Sequence, residues 1–498
     1  MTTTTTSRAG VESMQMVEPV ELRFPFWRYF ELYRRRPFAF LLDSALGLGT
    51  DRSFSFMGAD PCAVFEARRA SGDSRRADIR ISRRDNGTAK KSFVDPFGEL
   101  RALLDELRPA GCPDPVVPFQ AGALGYFGYE AGRFVETLPD ARRGGLGLPD
   151  IQFGFFDSVL AHDHATSTSY LTAVGRGHDE RAARRSAERL FVRRRRELDE
   201  LSGPLQVGPE APHAARAKDV RTDAYFDRAS YARVVETCKR HIHEGDAFEI
   251  CLTHQLSVPF RGDTWALYRA LRTISPSPFA CYLSLPGAQV VSSSPERFLR
   301  LGANRVAESR PMKGTRARGA TEAEDAALEA DLRNSLKDRA ENLMIVDLVR
   351  NDLGRVCEIG TVHVPELLAV ERYATVFQLT STVRGVLRDG ADGLDLVRAA
   401  FPGGSMTGAP KIEAMKIINR LEPVERGIYS GAIGYLDYSG ALDLSIVIRT
   451  AVVRNGRCSF GVGGAVVADS DPRREYDETL DKARALKLAL ASVGGGAR

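Results

Sequence analysis

Charge of one sign is missing from this 498-residue sequence: 69 basic side chains face 65 acidic ones, a formal charge of +4. So even a balance excludes a dedicated nucleic-acid surface, while leaving room for a local basic pocket that takes an acidic metabolite. Paired cysteines are missing too. Cys62, Cys112, Cys238, Cys251, Cys281, Cys357 and Cys458 are odd in number, scattered and never spaced C-x-x-C. That pattern excludes a disulfide frame or zinc site and reads as reduced thiols. No stretch approaches the roughly 20 apolar residues of a membrane span. The polar start, Met1 to Ser7, lacks the apolar core of a secretory signal. A cytoplasmic protein without a membrane partner is expected, with residues 1–18 as a disordered tail.

Familiar cofactor loops also fail to form. The run Phe401-Pro-Gly-Gly-Ser-Met-Thr-Gly-Ala-Pro-Lys411 resembles a phosphate loop until Ala409-Pro410 interrupts the Gly-Lys-Ser/Thr step. Gly461, Gly463 and Gly464 suggest a dinucleotide fingerprint, but its sixth position is Val466. What remains is a pair of turns whose exposed N–H groups could hold a carboxylate, or which are simply tight. No cysteine sits in a Gly-x-Cys-x-Gly elbow, so no glutamine-hydrolysing site is expected within the sequence.

What is present divides the chain. Residues 19–177 read as strands and turns with short helices, including Phe38–Ser44 and Gln120–Gly128 as strand candidates. A charged helix from His178 to Leu201 follows, with Arg193-Arg-Arg-Arg196 read as a solvated face. Gly203 to Thr222 reads as the linker, 223–493 as a larger unit of alternating helix and strand, and 494–498 as a tail. Within the larger unit, Tyr231–Glu244 is helical in pattern and Phe248–Leu256 strand-like.

Two helices there carry acid pairs. Thr321–Asn351 reads as one long helix with Asp338 and Glu341 three apart, and Pro472–Val493 as the last helix with Glu475 and Glu478. Lys482 shares the Glu478 face. Jointly they could bind a hard cation such as magnesium through oxygen, although spacing alone favours ordinary surface charge. Lys313, in Arg310-Pro-Met-Lys-Gly-Thr315, places an amine in a proline–glycine turn, and Glu296 supplies a carboxyl group nearby in sequence. Tyr429 stands in Arg426-Gly-Ile-Tyr-Ser-Gly431, and Arg449 ends the apolar run Leu444–Ile448. A guanidinium in such a run calls for an anion.

Several strings in fixed order carry a resemblance. They are Ser294-Pro-Glu-Arg-Phe298, Asp338 to Arg355, Gly403 to Lys411, and Asp477 to Ala485. Over 225–493 the sequence resembles the chorismate-utilising enzymes, and 20–175 resembles the N-terminal portion of their aminating members. The resemblance implies an α+β, anthranilate synthase component I-like fold with large, mainly antiparallel sheets surrounded by helices. It implies Glu341 and Glu478 as magnesium ligands, with Asp338 and Glu475 behind them. It implies that Gly314, Thr315, Tyr429, Arg449, Gly463, Gly464 and Lys482 hold chorismate, while Glu296 assists departure of the C4 hydroxyl.

Within the family, water-adding members carry a lysine base where this sequence has Glu249, and anthranilate synthases usually carry alanine where it has Lys313. The resemblance is therefore to 4-amino-4-deoxychorismate synthases, in which the lysine attacks C2 and ammonia then takes C4. Such a lysine must shed its proton, through desolvation or neighbouring positive charge. Ammonia is expected from a separate glutamine amidotransferase subunit. Anthranilate synthase component I is the rival of the same fold, and a non-catalytic chorismate-binding or regulatory subunit the rival of another class. Phe377 and Gln378 stand where members generally have a histidine. Leu41-Leu-Asp-Ser44 resembles the family's tryptophan-binding segment, and equally fits a buried strand and turn.

Overall fold

Strands from both halves of the chain alternate within two large antiparallel sheets. The computed structural model describes residues 4–5, 12–44, 53–70, 73–84, 87–109, 115–139, 144–201, 220–373 and 376–494. The first sheet has 13 strands. Its centre runs Phe54–Gly58, Phe40–Asp43, Phe279–Leu285, Ala288–Ser294, Thr450–Arg454, Arg457–Val466 and Glu249–Pro259. The second has 12, its centre running Met312–Ala317, Val376–Val386, Val306–Arg310, Arg297–Leu301, Leu442–Ile446, Ala432–Asp437, Gly122–Phe127 and Ile151–Phe156. The regions 19–177 and 223–493 thus do not close separate sheets: Leu41 pairs with Tyr282 in one, and Tyr126 with Ile433 in the other.

Side-chain alternation stacks the layers. In Gly122–Phe127 every residue is buried, because Ala123 and Phe127 face helices while Leu124 and Tyr126 face the opposite sheet. The inter-sheet core joins Phe40, Phe56 and Leu283 to Leu124, Tyr126 and Ile433. Helices Pro96–Leu107, Leu336–Gly354 and Gly393–Ala400 pack on the outer face of the second sheet. Glu180–Glu200, Thr264–Ile274 and Pro472–Ser492 pack on the outer face of the first. The expected α+β class with antiparallel sheets and enclosing helices is the one observed.

Three sequence readings need correction. Glu12–Val20 is a strand, pairing along Thr168–Gly177, so residues 12–18 are not tail; Ser13, Met14 and Gln15 are buried in it. The rest of the proposed tail, apart from Thr4–Thr5, lies outside the described residues, as do 202–219 of the linker and 495–498. The span Thr321–Asn351 is two helices, Glu322–Asn334 and Leu336–Gly354. Ser335 ends the first and caps the second, its hydroxyl accepting from the Asp338 amide at 3.3 Å. In the arginine run, Arg194 is buried and pairs with Asp60 at 3.2 Å and Glu197 at 2.9 Å. By contrast Pro472 does open its helix, with Asp471 as the cap.

Candidate active site

A bulge aims Lys313. On Met312–Ala317, Lys313 lies opposite Leu379 and Thr315 opposite Gln378, so Gly314 is the extra residue. Its φ of +82° suits glycine, and a Cβ there would stand 2.9 Å from the Asp338 side chain. The strand is therefore seated against the start of the Leu336–Gly354 helix. The Lys313 side chain is 11% exposed, and its Nζ donates to Glu249 Oε1 at 2.8 Å. Glu249 is wholly buried and its Oε2 has no hydrogen-bond partner among the described residues. Burial acts to lower the Lys313 pKa, but the carboxylates of Glu249 and Glu341 outweigh it and hold the ammonium above its ordinary range. Of the two expected routes to a free amine, desolvation is present but outweighed, and the charge beside Lys313 is negative, because a buried ammonium is stable only beside a counter-charge.

Glu296 occupies the turn between Ala288–Ser294 and Arg297–Leu301 and is 6% exposed. Burial pushes its carboxyl group up to about 7, against the downward pull of the Ser405 hydroxyl, Lys313, the Met312 backbone and Arg449. An acid that titrates near neutrality suits proton donation. Its neighbour Arg297 is fixed by Glu308 at 2.8 Å and Asp443 at 3.2 Å, which anchors the turn.

Arg449 does not end a strand. Leu442–Ile446 stops in the second sheet and Thr450–Arg454 starts in the first, so Arg449 lies in the crossover with φ of 48°. Its side chain makes no hydrogen bond or ion pair among the described residues. Burial lowers its pKa and the charge of Glu296 partly restores it. An unpaired, desolvated guanidinium beside the acid is available for a carboxylate.

The four acids gather around Lys337 and Lys313 without closing on a common point. Lys337 acts electrostatically on Glu341, Glu475 and Glu478, and Lys313 on Glu341 and Glu478. Burial raises the Glu341 and Glu475 pKa values. Lys482 holds Glu478 below its ordinary range, overcoming burial, from 2.8 Å. Among the described residues Glu341 Oε1 and Glu475 Oε2 are buried without hydrogen-bond partners, as suits oxygen ligands of a hard cation. Asp338 is already engaged by Arg316 at 3.0 Å. Among the described residues only His241, Glu244 and Asp246 offer three ligand atoms within 4.8 Å of one another, and two of those residues are exposed.

The remaining candidates divide. A Cβ on Gly464 would lie 3.0 Å from Glu475 Oε2 and 3.5 Å from Glu478 Oε1, so this glycine opens the strand toward the acids. Gly463 instead meets Leu252 and Thr253 of the neighbouring strand, a packing requirement, while its carbonyl accepts from Lys482 Nζ at 2.8 Å. Tyr429 packs on Gly461. Phe377 is core, stacked by Arg318, whereas Gln378 is buried with Oε1 unpartnered among the described residues. Ser44, just beyond the first-sheet strand Phe40–Asp43, lines a cavity with Asp43, Phe54 and Arg297, whereas Lys313 lies on the second sheet. The Ser44 hydroxyl is spent on the Phe54 carbonyl at 2.8 Å.

A model of the chorismate binding enzyme family matches residues 60–488. The chain belongs to that family. As a chorismate-binding enzyme it is 45% identical over 472 residues to an aminodeoxychorismate synthase of Streptomyces pristinaespiralis. That match covers 94% of this chain but 63% of the relative, so the chain spans less than two thirds of the relative's length. It is also 39% identical over 477 residues to anthranilate synthase component 1 of Thermus thermophilus, covering 96% of this chain and 97% of the relative. The crystal structure of anthranilate synthase component I from Streptococcus pneumoniae superposes with a TM-score of 0.74 at 28% identity, over 89% of this chain and 93% of that one.

Sequence reasoning missed several partners of its candidate residues. Ser405 contacts Glu296 from the glycine-rich loop that the sequence offers as a carboxylate-holding turn. Arg426 and Glu422, at an i,i+4 spacing, form a buried pair at 2.6 Å. Arg426 also donates to the carbonyls of Met406 at 2.6 Å and Cys251 at 2.8 Å, tying that loop to the Glu249 strand. Only the i,i+4 spacing was visible in advance.

Proposed function

We propose that this chain aminates chorismate at ring carbon 4, forming 4-amino-4-deoxychorismate. One observation carries the reading: Lys313, standing where anthranilate-forming members usually have alanine, is enclosed beside Glu249 with the near-neutral acid Glu296 in the same electrostatic neighbourhood. As a neutral amine, Lys313 bonds to C2; the ring double bonds shift and the C4–oxygen bond breaks. Glu296 protonates the departing hydroxyl, releasing water. Ammonia then bonds to C4, the C2–nitrogen bond breaks, and the product ammonium returns a proton to Glu296.

Arg449, Lys482, Tyr429, Thr315 and the Gly314 and Gly464 backbones are proposed to hold the substrate's two carboxylates and ring. Glu341 and Glu478 are proposed to hold magnesium, with Asp338 and Glu475 supporting. Bound there, the metal supplies positive charge for a substrate carboxylate. Ammonia is proposed to come from a separate glutamine amidotransferase; the "component 1" in the Thermus relative's name supports a divided assembly for that protein.

The test is product identification from chorismate, magnesium and an ammonium salt. 4-Amino-4-deoxychorismate is expected, and its formation should be abolished in Lys313→Ala. Anthranilate with pyruvate would overturn the reading in favour of an anthranilate synthase. Absence of turnover, with chorismate bound, would favour a binding subunit. With glutamine as sole nitrogen source the isolated chain should be inactive.

A further inference from the structure

We infer that Glu249 is the base that removes the ammonium proton from Lys313. The inference rests on the lysine-nucleophile reading and supplies what that reading lacks, since every carboxylate around Lys313 favours its charged, unreactive form.

Geometry singles out Glu249. Its Oε1 lies 2.8 Å from Nζ, and no other hydrogen-bond partner of the amine exists among the described residues. The carboxylate is 0% exposed and its second oxygen is unpartnered, so water does not compete for the proton. The backbone beneath it is fixed: Glu249 pairs with Ala409, and the Phe248 amide donates to the Ala409 carbonyl at 2.7 Å. At Gly408, with φ of +129°, a Cβ would overlap the Glu249 carbonyl, so the loop bearing Ser405 can sit this close only as glycine. Glu249 is thus held by the same segment that touches Glu296.

The transfer also removes charge from the interior. A buried ammonium–carboxylate pair is two desolvated charges, and passing one proton converts it to a neutral amine and a neutral acid. Among the groups facing the pair, Glu341 resists this change, while the Cys251 thiol, its pKa pushed up chiefly by burial, stays neutral and does not. The steps balance. Lys313 ammonium gives H⁺ to Glu249, the freed lone pair forms the bond to C2, and the C4–oxygen bond breaks with the Glu296 proton completing water. When ammonia has bonded to C4, Lys313 leaves C2 as a neutral amine and recovers its proton from Glu249.

The experiment uses chorismate and magnesium without ammonium, following the dehydrated-chorismate adduct on Lys313 by intact-protein and peptide mass. Wild type should form the adduct. Glu249→Gln should form it ~100-fold more slowly or worse, the scale of a lost general base, with chorismate affinity and melting temperature near wild type. Adduct formation in Glu249→Gln as fast as wild type, or faster, would overturn the inference. That is the result expected if Glu249 only neutralises the lysine, since glutamine would leave a free amine. Should the glutamine variant fold or bind poorly, Glu249→Asp is compared with Glu249→Ala: faster adduct formation with aspartate supports the base, and equal rates refute it. Failure of the underlying reading looks different. Wild type would then form no adduct, and Lys313→Ala would still aminate C4.

Discussion

Tyr429 leaves no room for a side chain on Gly461: a Cβ built there would overlap its ring. The two residues belong to different segments, the turn before Ala432–Asp437 and the strand Arg457–Val466. Gly461→Ala must therefore push the ring away from its seat. Overpacking of this kind costs about 1–3 kcal/mol. We expect a lowered melting temperature together with a KM for chorismate raised about tenfold, the equivalent of ~1.4 kcal/mol. A stability loss with unchanged KM would remove Tyr429 from the substrate site.

The pH dependence should follow Glu296. Its folded pKa, pushed up by burial to about 7 from the ordinary carboxylate range, means that the proton-donating form disappears as pH rises through neutrality. kcat/KM should fall on the alkaline side with an apparent pKa near 7, and Glu296→Gln should be nearly inactive without that limb. The same shift has a sign for stability. Folding favours the neutral acid, so this contribution is complete below the unfolded value and is lost as pH rises through the folded one. Melting curves of Glu296→Gln and wild type should therefore diverge between about pH 5 and 7, with wild type losing ground as pH increases.

Breaking the Glu422–Arg426 pair should be costly. Both side chains are buried, and Glu422 also accepts from the Thr253 amide at 2.8 Å and hydroxyl at 2.9 Å. Glu422→Ala strands a guanidinium in the interior, for which about 3–5 kcal/mol is the usual penalty. Denaturant unfolding should register a loss of that size. A loss below about 1 kcal/mol would mean that water reaches Arg426 freely.

Metal dependence separates the acids. A chelator should abolish amination, and magnesium should restore it. Glu341→Ala and Glu478→Ala should weaken magnesium binding, measured by calorimetry, by tenfold or more, on the order of 1.4 kcal/mol. Asp338→Asn should cost less, because Arg316 already occupies its Oδ2 at 3.0 Å. Equal losses at all three positions would place Asp338 on the metal.

Local signals in the sequence translated well where local physics decides. Pro472 opens a helix, the apolar run at Gln120–Gly128 contains the strand Gly122–Phe127, and the i,i+3 acids lie on the helices assigned to them. Of the misreadings, one was local and two were tertiary in origin. Ser335 splits an apparently continuous helix because its hydroxyl competes for the backbone amide. Arg449 falls in a crossover because the chain changes sheets there, which periodicity does not reveal. Glu249 was read only for the lysine it replaces; its partner stands 64 residues away, joined through sheet packing that no spacing rule anticipates.

The interleaving of strands makes the N-terminal half indispensable to a site it does not line. Leu41 waits for Tyr282 to complete one sheet, and Tyr126 waits for Ile433 to complete the other. A fragment beginning at 223 would keep every proposed catalytic side chain and yet expose the strands Phe279–Leu285 and Ala432–Asp437 as raw edges. During synthesis the complementary edges must stay unpaired until the C-terminal strands emerge, an interval in which chaperone capture or aggregation competes with completion. Nor can such a chain be shortened by evolution to its reactive half, since each half supplies the other's hydrogen bonds.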